Sequence, residues 1–264
     1  MKLAPAIGVS LSAFLLFGLR LTIAGLAVLA VSLLAAILID RAFGVDLSLI
    51  GLGVAIVSTT SVEADVAWPS FVRIGTVLGL AVLAPYLIDR LVLGRADPAR
   101  GRVIGFPWRS HEKKTRLEIA YVFAVPLLGY LLLPFYFIRS GAYLNWPHIT
   151  DLSELLRFFV GVNSVGTFDE LFFICTCLVL FRRHFPFWLA NLLQMVIFVS
   201  FLWELGYREW APLFTIPFAL LQGYLFAKTR SLGYVLAVHL LFDALVFLAI
   251  VHAHNRDWIP VFLY

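Results

Sequence analysis

Charged residues are scarce in this chain of 264 residues. Only 14% are Asp, Glu, Lys or Arg, whereas 62% are hydrophobic, and the mean hydropathy is +0.95. Because ordinary soluble domains carry about a quarter charged residues, this scarcity excludes a soluble globular domain. The long apolar runs also lack the alternating pattern of a membrane β-barrel. Since only helices and closed barrels satisfy their backbone groups in lipid, the sequence predicts an all-α, polytopic transmembrane helical bundle.

Cysteine is also scarce, since the chain contains only Cys175 and Cys177. Side chains two positions apart on a helix point about 200° away from each other, which is unfavourable for a disulfide between them. The sequence therefore contains no disulfide framework. A metal-binding C-x-C pair is a weaker hypothesis than two buried, inert thiols, because free cysteine packs as a small hydrophobic side chain.

Other absences narrow the function. The chain has no low-complexity tract and no internal repeat of the kind that marks many secondary transporters. The net charge is only +4, and the basic residues cluster in predicted loops, which is typical of membrane proteins and not of nucleic-acid binders. No small-residue cleavage site stands out after the first apolar run, so we interpret that run as a retained segment and not as a signal peptide.

The apolar runs predict about eight membrane spans. Residues 47–61 are apolar but short, and they are compatible with either a further span or a re-entrant segment. The other runs are the predicted spans, at residues 3–19, 21–39, 72–93, 117–138, 155–181, 186–204, 210–227 and 232–252.

Basic residues orient these spans. Seven Lys or Arg residues lie in the loop 95–116, and further basic residues end the spans 155–181 and 210–227. The three basic ends fall on one side of the membrane, which the positive-inside rule predicts to be cytoplasmic. We therefore divide the chain into N-terminal transmembrane helices (1–94), a basic cytoplasmic loop (95–116) and a transmembrane core (117–264). We expect it in the plasma (inner) membrane, in contact with membrane lipids.

Five ionisable side chains inside the predicted spans are the candidate site: Asp169, Glu170, Glu204, His239 and Asp243. Such groups are costly in a bilayer and usually face the bundle interior or a water-filled cavity. His239 and Asp243 are four residues apart and share one helix face. At a rise of 1.5 Å per residue, Glu170, His239 and Asp243 fall at similar depths near the bilayer midplane, whereas Glu204 falls near the outer boundary.

Carboxylates and an imidazole at one depth are compatible with several chemistries. A desolvated carboxylate can act as a general base on water, and an imidazole can hold the water or a developing oxyanion. Glu170, His239 and Asp243 are also reasonable ligands for a divalent metal such as zinc. A proton or cation relay is a third use, and a buried pair that only locks helices together is the alternative without chemistry.

These residues resemble motifs of a known family. The run Asp169-Glu-Leu-Phe-Phe-Ile174 is similar to a Glu-Glu-x-x-x-Arg motif, and His239-Leu-Leu-Phe-Asp243 is similar to a His-x-x-x-Asn/Asp motif. The run that starts at Gln222 and ends in a basic Ser-Leu-Gly turn also looks like the family. On these motifs, about 140 C-terminal residues resemble the CPBP family of CAAX-processing and bacteriocin-processing intramembrane proteases, also called Abi or type II CAAX prenyl endopeptidase-like proteins.

The chain departs from the family pattern in the first and middle motifs. Asp169 replaces the first glutamate, and Ile174 replaces the arginine. The middle motif, Phe-x-x-x-His, matches Phe198 with Leu202 in the histidine position, whereas a shifted register puts Glu204 there. These two registers place the residue on opposite helix faces, so only one of them can hold.

The resemblance implies endoproteolysis of a membrane-associated or prenylated peptide or protein. It implies that Glu170 activates water with help from Asp169, that His239 stabilises the oxyanion and that Asp243 orients His239. It places Glu204 where the family has a histidine. It is also compatible with a bound divalent metal. The missing arginine and histidine motivate a second hypothesis, a catalytically inactive CPBP-like membrane scaffold. The third hypothesis, a proton-coupled carrier, predicts a continuous polar path across the membrane.

Overall fold

The structure is a computed structural model that describes residues 1–109 and 114–262. Those residues form helices and connecting loops, with no β-strand among them. The helices are α1 (Leu3–Gly18), α2 (Thr22–Ile39), α3 (Arg41–Val57), α4 (Trp68–Ala96), α5 (Arg116–Ser140), α6 (Leu152–Arg182), α7 (Phe187–Leu205), α8 (Pro212–Thr229) and α9 (Leu232–His254). A short 3₁₀ turn, Ala142–Asn145, follows α5.

The described helices confirm the all-α transmembrane bundle. Six of them are long and apolar enough to cross a membrane, namely α2, α4, α5, α6, α7 and α9. The shorter apolar helix α1, and α8, which packs against α7 and α9, bring the bundle to about eight spans. The ambiguous stretch 47–61 falls mostly in α3, which starts earlier, at Arg41, and ends at Val57.

Several helices begin with polar side chains that satisfy the free backbone amides of the first turn. Asp151 accepts a hydrogen bond from the Glu154 amide at the start of α6. Thr115 and Glu118 form a capping box at the start of α5. These caps explain why α5 and α6 start before the apolar runs from which their spans were predicted.

Helix α6 lies at the centre of the bundle. It packs against α4, α7 and α9. In its most apolar stretch of 18 residues, 72% of the residues are buried, whereas the corresponding share is 22% in α2 and in α4. Cys175 and Cys177 lie in this helix, and both are buried free thiols. The predicted site acids Asp169 and Glu170 are therefore carried by the helix most shielded from lipid.

A buried ion-pair network ties the basic loop to the bundle. Arg100 donates to Asp89 of α4 at 2.5 Å and to Asp46 of α3 at 2.7 Å. Arg183, at the end of α6, lies 3.0 Å from Asp46. Burial alone would lower the pKa of Arg100, but its hydrogen bonds to the two carboxylates outweigh burial and raise that pKa above its ordinary value. The ion pairs of Arg100 therefore attach the loop to α3 and α4.

The same loop also contacts the start of α9. The Leu232 and Gly233 amides donate to the carbonyls of Pro107 and Trp108, at 2.7 and 3.1 Å. The loop after α4, the end of α6 and the α8–α9 turn thus meet at one end of the bundle, as the predicted threading requires. That this end is cytoplasmic stays a prediction. Residues 110–113 of the predicted loop, and Tyr264, lie outside the described residues.

Candidate functional site

A π-helical stretch in α6 starts at Glu170 and runs to Leu178. The Thr176 hydroxyl donates to the Leu171 carbonyl, five residues earlier, at 2.9 Å. Widened turns of this kind rotate side chains away from the positions that a regular α-helix gives them, and they are frequent at functional sites. Asp169, the last α-helical residue, and Glu170 therefore sit at a change of helical geometry.

Four of the five candidate residues meet between α6 and α9. Asp169, Glu170, His239 and Asp243 are all buried, with at most 5% of each exposed. His239 Nδ1 lies 2.7 Å from Glu170 Oε1. On the other side of the ring, His239 Nε2 lies 3.7 Å from Asp169 Oδ2 and 3.8 Å from Asp243 Oδ1. One imidazole is therefore bordered by three carboxyl groups.

Gln222 of α8 joins the same group, although the sequence reasoning did not count it as a site residue. Its Nε2 donates to Glu170 Oε1 at 2.6 Å and to the Val235 carbonyl at 3.1 Å. Because both neighbours are acceptors, the amide nitrogen must face them. A buried glutamine in an apolar helix was the available signal, since polar groups in spans usually have a partner.

A cavity of about 340 Å³ adjoins this group. Asp169, His239 and Asp243 line it, and most of its remaining wall is apolar and comes from α4, α6, α8 and α9. Glu170 is not among the lining residues. Tyr207, in the loop after α7, also lines the cavity, and burial raises the pKa of its phenol well above the ordinary value, so the hydroxyl stays protonated.

The spacing on the cavity side of His239 suits a water molecule. Distances of 3.7 and 3.8 Å are too long for direct hydrogen bonds. Within the described chain, Asp169 Oδ1 and Asp243 Oδ2 are buried and have no hydrogen-bond partner. These two oxygens are not the ones that border Nε2, and Asp243 Oδ2 faces Gly166. Between Nε2 and the two nearer oxygens, Asp169 Oδ2 and Asp243 Oδ1, a contact beyond 3.5 Å is where a bridging water is expected. The arrangement can therefore hold one water between two carboxylates and an imidazole.

Gly166 allows α9 to come this close to α6. A Cβ added at position 166 would collide with Oδ2 of Asp243, and it would also lie 3.3 Å from Cδ2 of His239. Any side chain at this position would push the carboxylate or the whole helix away. Gly166 therefore sets the separation on which the group depends.

Glu204 is not part of this group. Leu202 lines the 340 Å³ cavity with Asp169 and His239, whereas Glu204 lines a second pocket beside Arg20 and residues 58–61. The helix faces of α7 explain the difference, since residues two apart point about 200° away from each other. Of the two registers that the sequence allowed for the middle motif, the one with Leu202 is therefore the one that faces the cavity.

The arginine position of the first motif is filled by Ile174, which is completely buried in the core. The charge that the family motif carries there is absent, and a hydrophobic contact replaces it.

The metal-ligand set predicted from the sequence, Glu170, His239 and Asp243, does not surround one point. Glu170 borders Nδ1 of His239, while Asp243 borders Nε2, so one ion bound to one ring nitrogen would not reach both carboxylates. Across residues 1–109 and 114–262, no group of three or more His, Cys, Asp or Glu side chains is placed to hold a metal ion. No step through a metal is derived below.

Comparison with family models gives one match on this part of the chain. Residues 151–245 match the family described as type II CAAX prenyl endopeptidase Rce1-like. The match spans α6, α7, α8 and the part of α9 that carries His239 and Asp243. It confirms the resemblance to the CPBP family over that segment. Neither the comparison with curated proteins nor the comparison with solved structures returned a match.

Proposed function

We propose that this chain is an intramembrane endopeptidase that cleaves a membrane-associated or prenylated peptide or protein with an activated water. One observation carries the proposal. Asp169, His239 and Asp243 line one cavity inside the bundle, and they lie within the segment that matches the type II CAAX prenyl endopeptidase Rce1-like family. A protease of this kind needs a base, an oxyanion donor and room for a peptide beside a water.

Asp169 is the proposed base. It lines the cavity, whereas Glu170 does not line it and lies on the other side of the imidazole, with Oε1 held by Gln222 and His239. This revises the expected division of labour between the two acids. Asp169 takes a proton from the water, and the hydroxide oxygen bonds to the carbonyl carbon of the substrate. When the C–N bond breaks, that proton passes to the departing amine.

His239 is the proposed oxyanion partner. Glu170 Oε1 accepts a hydrogen bond from Nδ1–H, and Nε2 lies toward the cavity. In this proposal His239 is an imidazolium, because both ring nitrogens carry a proton only in that form. Its Nε2–H then donates to the carbonyl oxygen as negative charge develops. Asp243 lies 3.8 Å from Nε2, where its negative charge favours the imidazolium. The protonated Tyr207 hydroxyl is a second donor on the same cavity wall.

The cavity lining supports an amphiphilic substrate. Phe71, Ile74 and Leu78 of α4, together with Val160 and Val165 of α6, border the cavity next to the polar group. Such a wall accommodates a peptide that carries an apolar chain, because the chain moves from one apolar environment, the lipid, to another.

The test is cleavage of a fluorogenic prenylated peptide by the purified full chain in proteoliposomes. Asp169→Asn should lower kcat by at least about 100-fold, since it removes the base without changing the shape of the side chain. Asp151→Asn is the matched control, because it removes the same charge from the same helix and asparagine caps equally well. Equal cleavage by wild type and Asp169→Asn would overturn the proposed mechanism.

A second candidate function is a catalytically inactive scaffold. It is favoured by one observation: Leu202, an apolar residue, faces the cavity in the position of the family's middle histidine. In that case wild type and Asp169→Asn would support the same cellular phenotype, and neither would cleave the peptide.

A further inference from the structure

A second pocket, separate from the 340 Å³ cavity, lies where the ends of α1, α3 and α7 meet. Its volume is about 230 Å³. It is lined by Leu16, Phe17, Arg20, Thr22, Ser58, Thr59, Thr60, Ser61 and Glu204. Four consecutive hydroxyl side chains and a carboxyl group make this lining rich in oxygen. None of these residues takes part in the mechanism proposed above.

Glu204 lines this pocket with a carboxylate oxygen that lacks a hydrogen-bond partner among the described residues. Only 6% of the residue is exposed. Its carboxylate accepts a hydrogen bond from the Val62 backbone amide, but Oε2 has no hydrogen-bond partner among the residues that the structure describes. A buried, unpaired carboxylate is unfavourable unless something compensates its charge. The pocket beside it is where that compensation can bind.

The hydroxyl groups can act as ligands for a cation. Ser58 and Thr59 donate their own hydrogens to the Ala55 and Ile56 carbonyls, at 2.8 and 2.7 Å. Their oxygen lone pairs therefore remain available. They also follow the C-terminal end of α3, where the helix dipole favours positive charge. Hard cations take oxygen ligands, and helix C-terminal ends coordinate Na⁺ in membrane transporters.

The charges around the pocket select a monovalent ion. Arg20 lies 2.5 Å from Glu63, so its charge is compensated by that pair. Arg208 is a further cation near Glu204, but it does not line the pocket. A single carboxylate among neutral oxygens matches one positive charge, whereas divalent sites in proteins combine several carboxylates.

We propose that this pocket binds a monovalent metal cation of the Na⁺ class through Glu204 and the hydroxyl oxygens of residues 58–61. The site has a consequence for the cavity. The Val62 backbone amide donates a hydrogen bond to the Glu204 carboxylate. The residues that follow, Glu63 to Val66, form part of the wall of the 340 Å³ cavity. An ion on Glu204 therefore holds the α3–α4 loop in the position that shapes the candidate active site.

The test is thermal unfolding of the purified full chain in detergent, followed by tryptophan fluorescence. The comparison is between NaCl, KCl and choline chloride at equal ionic strength. Na⁺ should raise the Tm of wild type in a saturable way, by at least about 3 °C, because an ion that binds only the folded state stabilises it. Glu204→Gln should remove this dependence. Glu209→Gln, which removes the same charge at an exposed site, should keep it.

Two further variants test the proposal without changing Glu204, and they apply even if Glu204→Gln does not fold. Ser58→Ala together with Thr59→Val should shift the Na⁺ midpoint at least about tenfold higher. Glu63→Gln should also weaken Na⁺ binding, because it frees Arg20 to pair with Glu204. Equal Tm values for wild type in Na⁺ and choline would mean that Glu204 carries a proton and no ion, which would overturn the proposal. An Na⁺ midpoint unchanged in the hydroxyl double variant would also overturn it.

Discussion

At the scale of single residues, the site is organised around one imidazole. His239 has Glu170 on its Nδ1 side and Asp169 and Asp243 on its Nε2 side. Gln222 holds the Glu170 carboxylate in place, because the Gln222 amide nitrogen donates both to Glu170 Oε1 and to the Val235 carbonyl. The imidazole therefore presents Nε2 to the cavity through a chain of hydrogen bonds that runs from α8 to α9.

Gln222 is accordingly a positioning residue. We expect Gln222→Leu to lower kcat for the prenylated peptide by about 10- to 100-fold with little change in KM, because Glu170 loses a donor and His239 loses its fixed orientation. Nitrogen-15 spectra of labelled histidine should show changed ring-nitrogen signals at His239, because the hydrogen bond on Nδ1 is altered.

The matched control is Gln194→Leu, an equally buried glutamine on α7 that bonds to Asn191 and to the Ala219 carbonyl. It should lower stability and leave kcat unchanged. A Gln222→Leu variant with wild-type kcat and wild-type histidine spectra would remove Gln222 from the account.

The sequence predicted the candidate acids and the histidine, which the structure brings together, but it did not predict which acid faces the cavity. Asp169, Glu170, His239 and Asp243 were recognisable because ionisable groups inside apolar spans are unusual. Which acid faces the cavity depends on rotation about α6, and the π-helical stretch from Glu170 changes that rotation. Likewise, Leu202 and Glu204 were equivalent in the sequence, and only the packing of α7 distinguishes them.

At the scale of elements, α6 and α4 each carry a buried polar cluster. Helix α6 carries the candidate site at its buried centre, and α4 carries Asp89, which is fully buried near the basic loop. Asp89 accepts hydrogen bonds from Arg100 and from the Val103 and Ile104 amides, at 2.5, 2.8 and 2.9 Å. These contacts fasten the loop after α4 to the helix itself.

Asp89→Asn should destabilise the protein by roughly 3 kcal/mol, since it leaves the buried Arg100 guanidinium with one carboxylate fewer. The measurement is the apparent Tm in detergent. Asp97→Asn is the control, because Asp97 is exposed and its caps on the Ala99 and Arg100 amides can be made by asparagine. A loss of Tm in Asp89→Asn no larger than in the control would contradict a structural role for the network.

Helix positions were largely predictable from hydropathy, whereas helix ends were not. The apolar run 155–181 gave the core of α6, but the helix extends from Leu152 to Arg182. Capping by Asp151 depends on a side-chain contact with the Glu154 amide that hydropathy does not report. The network of Asp46, Asp89 and Arg100 joins residues up to 54 positions apart, which no local pattern reveals.

At the scale of the whole molecule, the basic loop and the candidate site lie in different parts of the bundle. The basic loop, the end of α6 and the α8–α9 turn meet at one end of the bundle, while the candidate site lies inside it. A cavity lined by α4, α6, α8 and α9 reaches the site through mostly apolar walls. This layout is suited to a substrate that is itself partly embedded in lipid.

The most direct test of the central claim is product analysis in water enriched in oxygen-18. The purified wild-type chain in proteoliposomes would be given the prenylated peptide, and the products would be analysed by mass spectrometry. The account predicts two fragments, with one oxygen-18 atom in the new carboxyl group, and almost no product from Asp169→Asn. An intact peptide after incubation with wild type, or equal product from both proteins, would contradict the claim that this cavity hydrolyses peptide bonds.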